Sequence, residues 1–189
     1  MELKVFVYGP EDDPAVEGAI KLLAERDVAR VDDLAAADVA IAPMLRKFLT
    51  MEDIETPRYG TLIFHPSLLP RHRGRDAIAW AIDAGELYTG ATWFWADEGV
   101  DAGPICEQEV LAIKPGIHPI TFYIQKALPS CLRMLGYILD DLEVGYVRRR
   151  PQNEKDAQIE PRFTEEAAAE ARAARDAEAE RVRTKKTTT

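Results

Sequence analysis

A histidine and an aspartate are the residues with which this sequence could move a proton. His65 ends the apolar run TLIFH, and Pro66 follows it directly. Proline fixes its own φ and drives the preceding residue toward an extended conformation, so we expect His65 at the end of a strand. Imidazole exchanges a proton near neutral pH, which makes His65 a candidate acid or base. The other histidines, His72 and His118, lie in polar segments typical of structural or surface positions.

The candidate aspartate lies in the stretch DEGVDAGPI, residues 97–105. The segment DEG alone is typical of an acidic surface turn. Asp101 differs because small residues flank it, which lets backbone and ligand approach closely. A carboxylate beside an imidazole can hold its tautomer and raise its basicity. Asp101 is therefore the predicted partner of His65.

The elements that must position these residues alternate between strand and helix patterns. Strands are predicted over 3–8, 28–31, 38–42, 60–64, 91–95 and 105–113, of which 3–8 and 38–42 have the pattern of buried strands and 105–113 a mixed one. Helices are predicted over 14–26, 76–84 and 120–142. Pro129 is expected to kink or divide the last helix. The pattern predicts an α/β fold with an open, mostly parallel sheet, in which ligands bind at the carboxyl ends of the strands.

The composition of the chain changes near residue 151. Residues 1–150 are predicted to form one catalytic domain and residues 151–189 a charged tail, partly helical or disordered. Within the tail, residues 165–183 consist almost entirely of Ala, Glu, Arg and Asp. Thr164 is suited to cap a helix there, but no wide apolar stripe follows it. A coiled-coil role is poorly supported because leucine-like a and d positions are missing.

Charge and composition exclude several classes of function. A formal net charge of −9 argues against a general nucleic-acid surface. Cys106 and Cys131, the two cysteines, have no metal-ligand spacing, and no metal site is expected. No secretory segment and no membrane-spanning apolar run is visible, so we expect a soluble, cytoplasmic domain without a membrane partner. The turn GPEDDP carries three carboxylates that would repel a pyrophosphate, which argues against a nucleotide cofactor there.

Three stretches of the chain resemble a known family. They are HPSLLPRHRG, AIAWAIDAGE and GATWFWADEGVDAGPI, in that order along the chain. Together they resemble the formyltransferase family that uses 10-formyltetrahydrofolate, over about residues 36–115 and more weakly at 150–152. Within the family, these stretches most resemble the hydrolase domain of 10-formyltetrahydrofolate dehydrogenase. The resemblance implies a shortened, Rossmann-like formyltransferase domain, with His65 and Asp101 at the positions of the family's catalytic histidine and aspartate.

One position departs from the family motif. The motif has an asparagine two residues before its histidine, and here that position is Ile63. An amide donor at such a place stabilises the oxyanion of formyl transfer, which in other enzymes is worth on the order of 3 kcal/mol. Isoleucine cannot donate, yet the dehydrogenase branch also resembles this chain in carrying isoleucine. Ile63 therefore favours transfer to water or another carrier over ordinary amine formylation.

The resemblance also implies where folate would bind. In the family, part of the pterin pocket comes from the loop after the strand that precedes the histidine strand, here residues 43–49. Arg46, Phe48 and Leu49 are the candidates on this side, although core packing is an equal alternative for the last two. The candidates on the opposite side are Asp97, Glu98 and Gly99. We expect 10-formyltetrahydrofolate to act as donor substrate rather than as a permanently bound cofactor.

The expected function is removal of the formyl group of 10-formyltetrahydrofolate by transfer to water or a small acceptor. Asp101 would orient and charge-balance His65, which would activate the acceptor and pass a proton to N10. Two alternatives stay open. One is an amine formyltransferase acting on a nucleotide sugar or another small amine, and the other is a folate-binding protein without catalysis. The sequence predicts neither the oligomeric state nor the purpose of the tail.

Overall fold

A six-stranded sheet forms the centre of the molecule. The computed structural model describes residues 2–45 and 48–187, with side chains as far as residue 183. The strands are β1 (Lys4–Val7), β2 (Ala29–Arg30), β3 (Val39–Ala42), β4 (Thr61–His65), β5 (Arg73–Gly74), β6 (Tyr88–Trp95), β7 (Ile105–Ala112) and β8 (Ile159–Glu160). The sheet order is β2-β1-β3-β4-β6-β7, while β5 and β8 form a separate pair. Strands β1 to β4 are parallel and β6 and β7 antiparallel, which confirms the predicted open, mostly parallel α/β sheet.

Among the described residues, six α-helices surround the sheet or follow it. They are α1 (Pro14–Glu25), α2 (Met51–Glu55), α3 (Ala77–Asp83), α4 (Pro119–Phe122), α5 (Leu128–Glu143) and α6 (Glu165–Thr187). In the part of the chain that the structure describes, no helix combines the length and apolar character needed to cross a bilayer.

Helix α5 forms because its apolar residues recur on one face and pack on the sheet. The buried stripe consists of Cys131, Met134, Leu135, Ile138, Leu139 and Leu142. It belongs to the same core cluster as Leu23 of α1 and the indole of Trp93 on β6. This layer covers one face of the sheet and holds its strands in a fixed order, so the loops at their carboxyl ends start from fixed positions.

Helix α2 was not predicted, although the sequence carries a signal for it. Thr50 caps the helix, because its hydroxyl oxygen accepts from the amide of Asp53 at 3.1 Å. The Asp53 carboxylate in turn accepts from the amide of Thr50 at 2.9 Å. This reciprocal pattern is a capping box, and it stabilises a helix too short to be recognised by apolar periodicity.

The helical run near Pro129 is divided by a widened turn rather than by a kink at the proline. Residues 123–127 form a π-helical turn between α4 and α5, and the amide of Leu128 bonds to the carbonyl of Tyr123. Pro129 therefore lies in the first turn of α5, where a missing N–H group costs little.

Residues 150–163, called here the C-terminal strap, lie against the edge of the domain. Strand β8 pairs with β5. The indole of Trp80 donates to the carbonyl of Pro161 at 2.8 Å, and its ring meets that of Phe163 at a centroid distance of 5.1 Å. The strap is followed by α6, whose Arg172 and Arg175 pair with Asp83.

Candidate functional site

The structure places His65 at the last position of β4, in the middle of the sheet. It pairs in register with Thr92 of β6, and Pro66 then ends the strand. The imidazole lies at the carboxyl edge of the parallel strands, where open α/β sheets bind ligands. Only 8% of its side chain is exposed.

Two oxygen atoms face the ring of His65. Its Nε2 lies 2.7 Å from the backbone carbonyl of His72, and its Nδ1 lies 3.4 Å from Oδ2 of Asp101. A carbonyl oxygen can only accept, so Nε2 must carry a proton and donate it. The remaining ring nitrogen faces the carboxylate, and a proton there joins the two groups. The arrangement forms an imidazole–carboxylate pair that can hold or release one proton.

Asp101 is held in place by its backbone as well as by its side chain. Its φ is 49°, a left-handed conformation that aspartate tolerates better than most residues. The amide of Gly74 donates to Oδ2 of Asp101 at 2.7 Å. The side-chain amide of Gln152, on the C-terminal strap, donates to the carbonyls of Asp101 and Gly103, each at 2.8 Å. The carboxylate is therefore positioned before any ligand arrives.

The small size of Gly103 is needed for a contact within the protein, whereas the sequence suggested room for a ligand. A Cβ at this position would lie 1.8 Å from the carbonyl oxygen of Trp95. The small residue is needed because the loop folds back on the end of β6. The backbone at Gly103 therefore lies against the backbone at Trp95, and this contact helps to place Asp101 beside His65.

An open cleft of about 340 Å³ adjoins the pair, which is within the usual size of a small-molecule site. Its lining consists of Leu45, Phe48, Leu49, Met51, Ile54, Ile63, Phe94, Ala96, Asp97, Glu98, Gly99, Val100 and Asp101. The structure thus brings together Ile63, Asp101 and all the described candidates for the folate pocket. The remaining candidate, Arg46, lies outside the described residues. His65 reaches the cleft through Asp101, whose side chain is 19% exposed.

The two walls of the cleft differ in chemistry. One wall is apolar, and Phe48 projects from it with 91% of its surface exposed; the wall consists of Leu45, Phe48, Leu49, Met51 and Ile54. The other wall, residues 96–101, carries three carboxylates. An aromatic ring left exposed beside a cleft can stack on a planar ligand, whereas a structural phenylalanine is normally buried.

Sequence reasoning missed two residues of the apolar wall, Met51 and Ile54, because it missed α2. The helix is tied to the sheet by Tyr8, whose hydroxyl donates to the carboxylate of Asp53 at 3.1 Å. Burial, with a smaller contribution from the Asp53 charge, raises the pKa of Tyr8 above its ordinary value. The hydroxyl therefore stays protonated and keeps the tether at all physiological pH values. The capping box at Thr50 is the signal that could have found this wall.

Ile63 lies in the cleft without any polar atom of its own side chain. It packs against the buried Leu69, Phe94 and Ile105. An asparagine would offer an amide to a reacting oxygen here, and isoleucine offers only hydrocarbon. Position 63 therefore contributes shape and water exclusion to the cleft.

A second depression of about 400 Å³ adjoins the first and shares with it Met51, Ile54 and residues 96–98. Two guanidinium groups belong to its lining, those of Arg58 and Arg149. The Arg149 group lies 4.1 Å from the centre of the Trp95 ring and donates to the carbonyl of Tyr59 at 2.6 Å. The lining of this depression also carries the carboxylates of Glu55, Asp97 and Glu98, so it combines both signs of charge.

Within the described part of the chain, no three histidine, cysteine, aspartate or glutamate side chains gather in a way that could hold a metal ion. The described side chains at the cleft offer a titratable pair, His65 and Asp101, together with one apolar and one charged wall.

Comparison with known proteins gives matches to one family. The model of the formyl transferase family matches residues 17–125. Mitochondrial 10-formyltetrahydrofolate dehydrogenase of Mus musculus is 34% identical over 135 residues, covering 71% of this chain and 15% of that protein. Methionyl-tRNA formyltransferase of Deinococcus radiodurans is 44% identical over 95 residues, covering 50% of this chain and 30% of that protein. The chain thus spans less than a third of the length of either relative.

The fold has solved counterparts. The structure of HypX from Aquifex aeolicus in complex with tetrahydrofolic acid superposes with a TM-score of 0.75 at 23% identity. The match covers 87% of this chain and 30% of that chain. At this level of identity the likeness is one of fold.

Proposed function

This chain belongs to the formyl transferase family, and we propose that it removes the formyl group of 10-formyltetrahydrofolate, with water as the acceptor. The observation that carries the proposal is the meeting of three features at one place. The His65–Asp101 pair, the hydrocarbon side chain of Ile63 and a cleft of about 340 Å³ adjoin one another. Support comes from the identity with a 10-formyltetrahydrofolate dehydrogenase and from the fold shared with a tetrahydrofolate-bound protein.

Water is favoured as the acceptor by the absence of a side-chain amide at position 63. Without that donor, the reacting oxygen depends more on the charge and proton of the His65–Asp101 pair. Water is small and can reach a carboxylate that is only 19% exposed. The carboxylates of Asp97 and Glu98 on the same wall would repel an anionic acceptor such as a nucleotide sugar.

In the proposed reaction, the carboxylate of Asp101 contacts the acceptor, and His65 acts through its contact with that carboxylate. Water attacks the formyl carbon while one of its protons passes to the carboxylate of Asp101, and the carbonyl electron pair moves onto the formyl oxygen. When the carbonyl re-forms, the bond to N10 breaks, and N10 receives a proton from the His65–Asp101 pair. The products are formate and tetrahydrofolate. The sequence alone favoured direct contact by His65, whereas the exposed position of Asp101 favours the reverse order.

The two depressions suggest how the donor would lie. The planar pterin suits the apolar wall, where Phe48 can stack on an aromatic face. The glutamate end of folate is anionic, and Arg58 and Arg149 are the groups of the second depression that could bind it, against the carboxylates of Glu55, Asp97 and Glu98 in the same lining. For the proposed reaction, the N10-formyl group, which lies between the two ends of the molecule, must reach Asp101 and Ile63, which line the first cleft only.

The direct test is to mix the purified chain with 10-formyltetrahydrofolate in an amine-free buffer and to follow formate and tetrahydrofolate. We expect equal amounts of both products, and we expect His65→Ala to remove turnover. His118→Asn is the matched control, because His118 is exposed and its capping of α4 can be taken over by asparagine. No turnover above the buffer background, or turnover untouched by His65→Ala, would remove the proposal.

Formyl transfer to an amine is the second candidate. The 44% identity with a methionyl-tRNA formyltransferase favours it. A set of amines, including an amino sugar nucleotide, can be added to the same assay, and products can be read by mass spectrometry. A formylated amine formed at the expense of formate would select this candidate. Folate binding by calorimetry with no turnover under any condition would instead select a non-catalytic folate-binding protein.

A further inference from the structure

A second histidine is buried close to the first one. His72 has only 5% of its side chain exposed, and each of its ring nitrogens meets a carboxylate. Nε2 lies 3.0 Å from Oε1 of Glu86, and Nδ1 lies 3.1 Å from Oε1 of Glu160. Glu86 precedes β6, whereas Glu160 belongs to β8 on the C-terminal strap. One imidazole thus joins two segments that are far apart along the chain.

The carboxylates of Glu86 and Glu160, called here the bracket, define which nitrogens of the His72 ring carry protons. Ionised carboxylates only accept hydrogen bonds, so both ring nitrogens must carry protons to satisfy the two contacts. Arg71 also pairs with Glu86, which holds that carboxylate in place. Hydrogen bonds between charged partners are stronger than neutral ones, and burial limits their competition with water. The ring of His72 is therefore firmly held from both sides.

The backbone of the same residue contacts the reacting pair. The carbonyl of His72 is the group that accepts from Nε2 of His65 at 2.7 Å. His72 has a φ of 52°, a left-handed conformation that turns the chain sharply at this point. The adjacent Gly74 donates to Asp101, and its own close contact with the carbonyl of Glu160 leaves no room for a Cβ. Both members of the pair are thus supported by the loop 72–74.

We infer that His72 is a positioning residue of the reaction, acting through its backbone carbonyl on the tautomer and orientation of His65. The bracket of Glu86 and Glu160 holds the His72 ring, the ring holds the loop, and the carbonyl keeps a proton on Nε2 of His65. That leaves Nδ1 as the nitrogen that exchanges a proton with Asp101. The inference rests on the proposed function, because it assigns His72 to the same proton transfer.

The test replaces the ring while keeping the backbone conformation accessible. Asparagine tolerates a positive φ, but it is too short to reach both carboxylates, so His72→Asn releases the bracket. We expect kcat to fall by about 10- to 100-fold, the scale of a small misplacement of a catalytic group. The KM for 10-formyltetrahydrofolate should change by less than about threefold, because the folate-binding walls are untouched. His118→Asn serves as the control for the same substitution at an exposed histidine.

A second variant weakens the bracket without removing the ring. Glu160→Gln keeps the size of the side chain but replaces a charged partner of Nδ1 of His72 with a neutral one, and it should lower kcat by about threefold to tenfold. Glu166→Gln, at an exposed position early in α6, removes the same charge and should leave kcat unchanged. The two variants together separate a positioning effect from a general loss of negative charge.

The decisive readout is the nitrogen NMR spectrum of the His65 ring, which requires no turnover. The chain has only three histidines, so the variants at 72 and 118 assign all signals. In the unmodified chain Nε2 of neutral His65 should keep its proton, and in His72→Asn the proton should exchange between both ring nitrogens. Unchanged His65 signals and unchanged kcat in folded His72→Asn and Glu160→Gln would overturn the inference. If the unmodified chain shows no turnover, the proposed function fails, while this spectrum still decides the positioning of His65.

Discussion

The reacting pair and the apolar wall face the same cleft but are built in opposite ways. Around the pair, both ring nitrogens of His65 and both of His72 lie within 3.4 Å of an oxygen atom, and both histidines are buried. On the apolar wall, Phe48 is almost fully exposed and Met51 is 41% exposed. The polar end of the site is complete without a ligand, whereas the apolar end gains its packing only when one binds.

This difference indicates how binding and chemistry are divided. Groups that hold a proton must be oriented in advance, since reorienting them during the reaction adds to the barrier. A binding wall can stay exposed because the ligand itself covers the apolar surface. Substitutions in the first region should therefore lower kcat, and substitutions in the second should raise KM.

After the loss of turnover in His65→Ala, the largest effect is expected at Asp101. Asp101→Asn keeps the size of the side chain but removes the charge that takes up a proton, so kcat should fall by roughly 10³-fold. Steady-state assays of tetrahydrofolate release measure the loss. Asp176→Asn, on the exposed part of α6, is the matched control. A loss of less than about tenfold would mean that proton transfer does not pass through this carboxylate.

A smaller difference in kcat is expected between two variants at position 63. Ile63→Asn introduces an amide that can donate to the oxygen on which charge develops, and Ile63→Ala creates the same loss of hydrocarbon without a donor. We expect kcat of the asparagine variant to exceed that of the alanine variant by about tenfold. Single-turnover rates measure the ratio directly. Equal rates would place the reacting oxygen away from position 63.

A change in affinity alone is expected at Phe48. Phe48→Ala removes a stacking surface, and KM for 10-formyltetrahydrofolate should rise by about fivefold, with kcat nearly constant. The free energy of unfolding should not change because the ring is 91% exposed. Leu87→Ala, at an exposed apolar residue outside the cleft, should leave KM as it is. A fall in kcat of the same size would contradict the division between the two regions.

The smallest effect is expected at Trp80 of α3, which contacts the C-terminal strap at Pro161. Trp80→Phe removes the donor to the carbonyl of Pro161, and the free energy of unfolding should fall by about 1 kcal/mol. Urea denaturation followed by circular dichroism measures it. The value of kcat should stay within about twofold, since His72 and Glu160 keep their contacts. A loss of kcat as large as that in His72→Asn would show that the whole strap, and not His72 in particular, positions the pair.

Much of the fold could be predicted because its signals are local. Each long strand was found to within three residues of its ends, since apolar runs of β-formers bounded by proline or glycine are strong signals. Helix α2 was missed because five residues are too few to show a helical period. The order of strands in the sheet, with β6 antiparallel to its neighbours β4 and β7, depends on contacts between distant residues. Local patterns carry no information on such contacts.

The sequence by itself determined which residues could react and where the backbone would present them. Proline after His65 ends its strand, and small residues beside Asp101 allow its turn, so both conformations follow from nearest neighbours. Only the tertiary structure decided that Asp101 faces the cleft, that Nε2 of His65 is held by a carbonyl, and that His72 bridges two carboxylates. The partners in these contacts are separated by as many as 88 residues, and the packing of sheet, loops and strap brings them together.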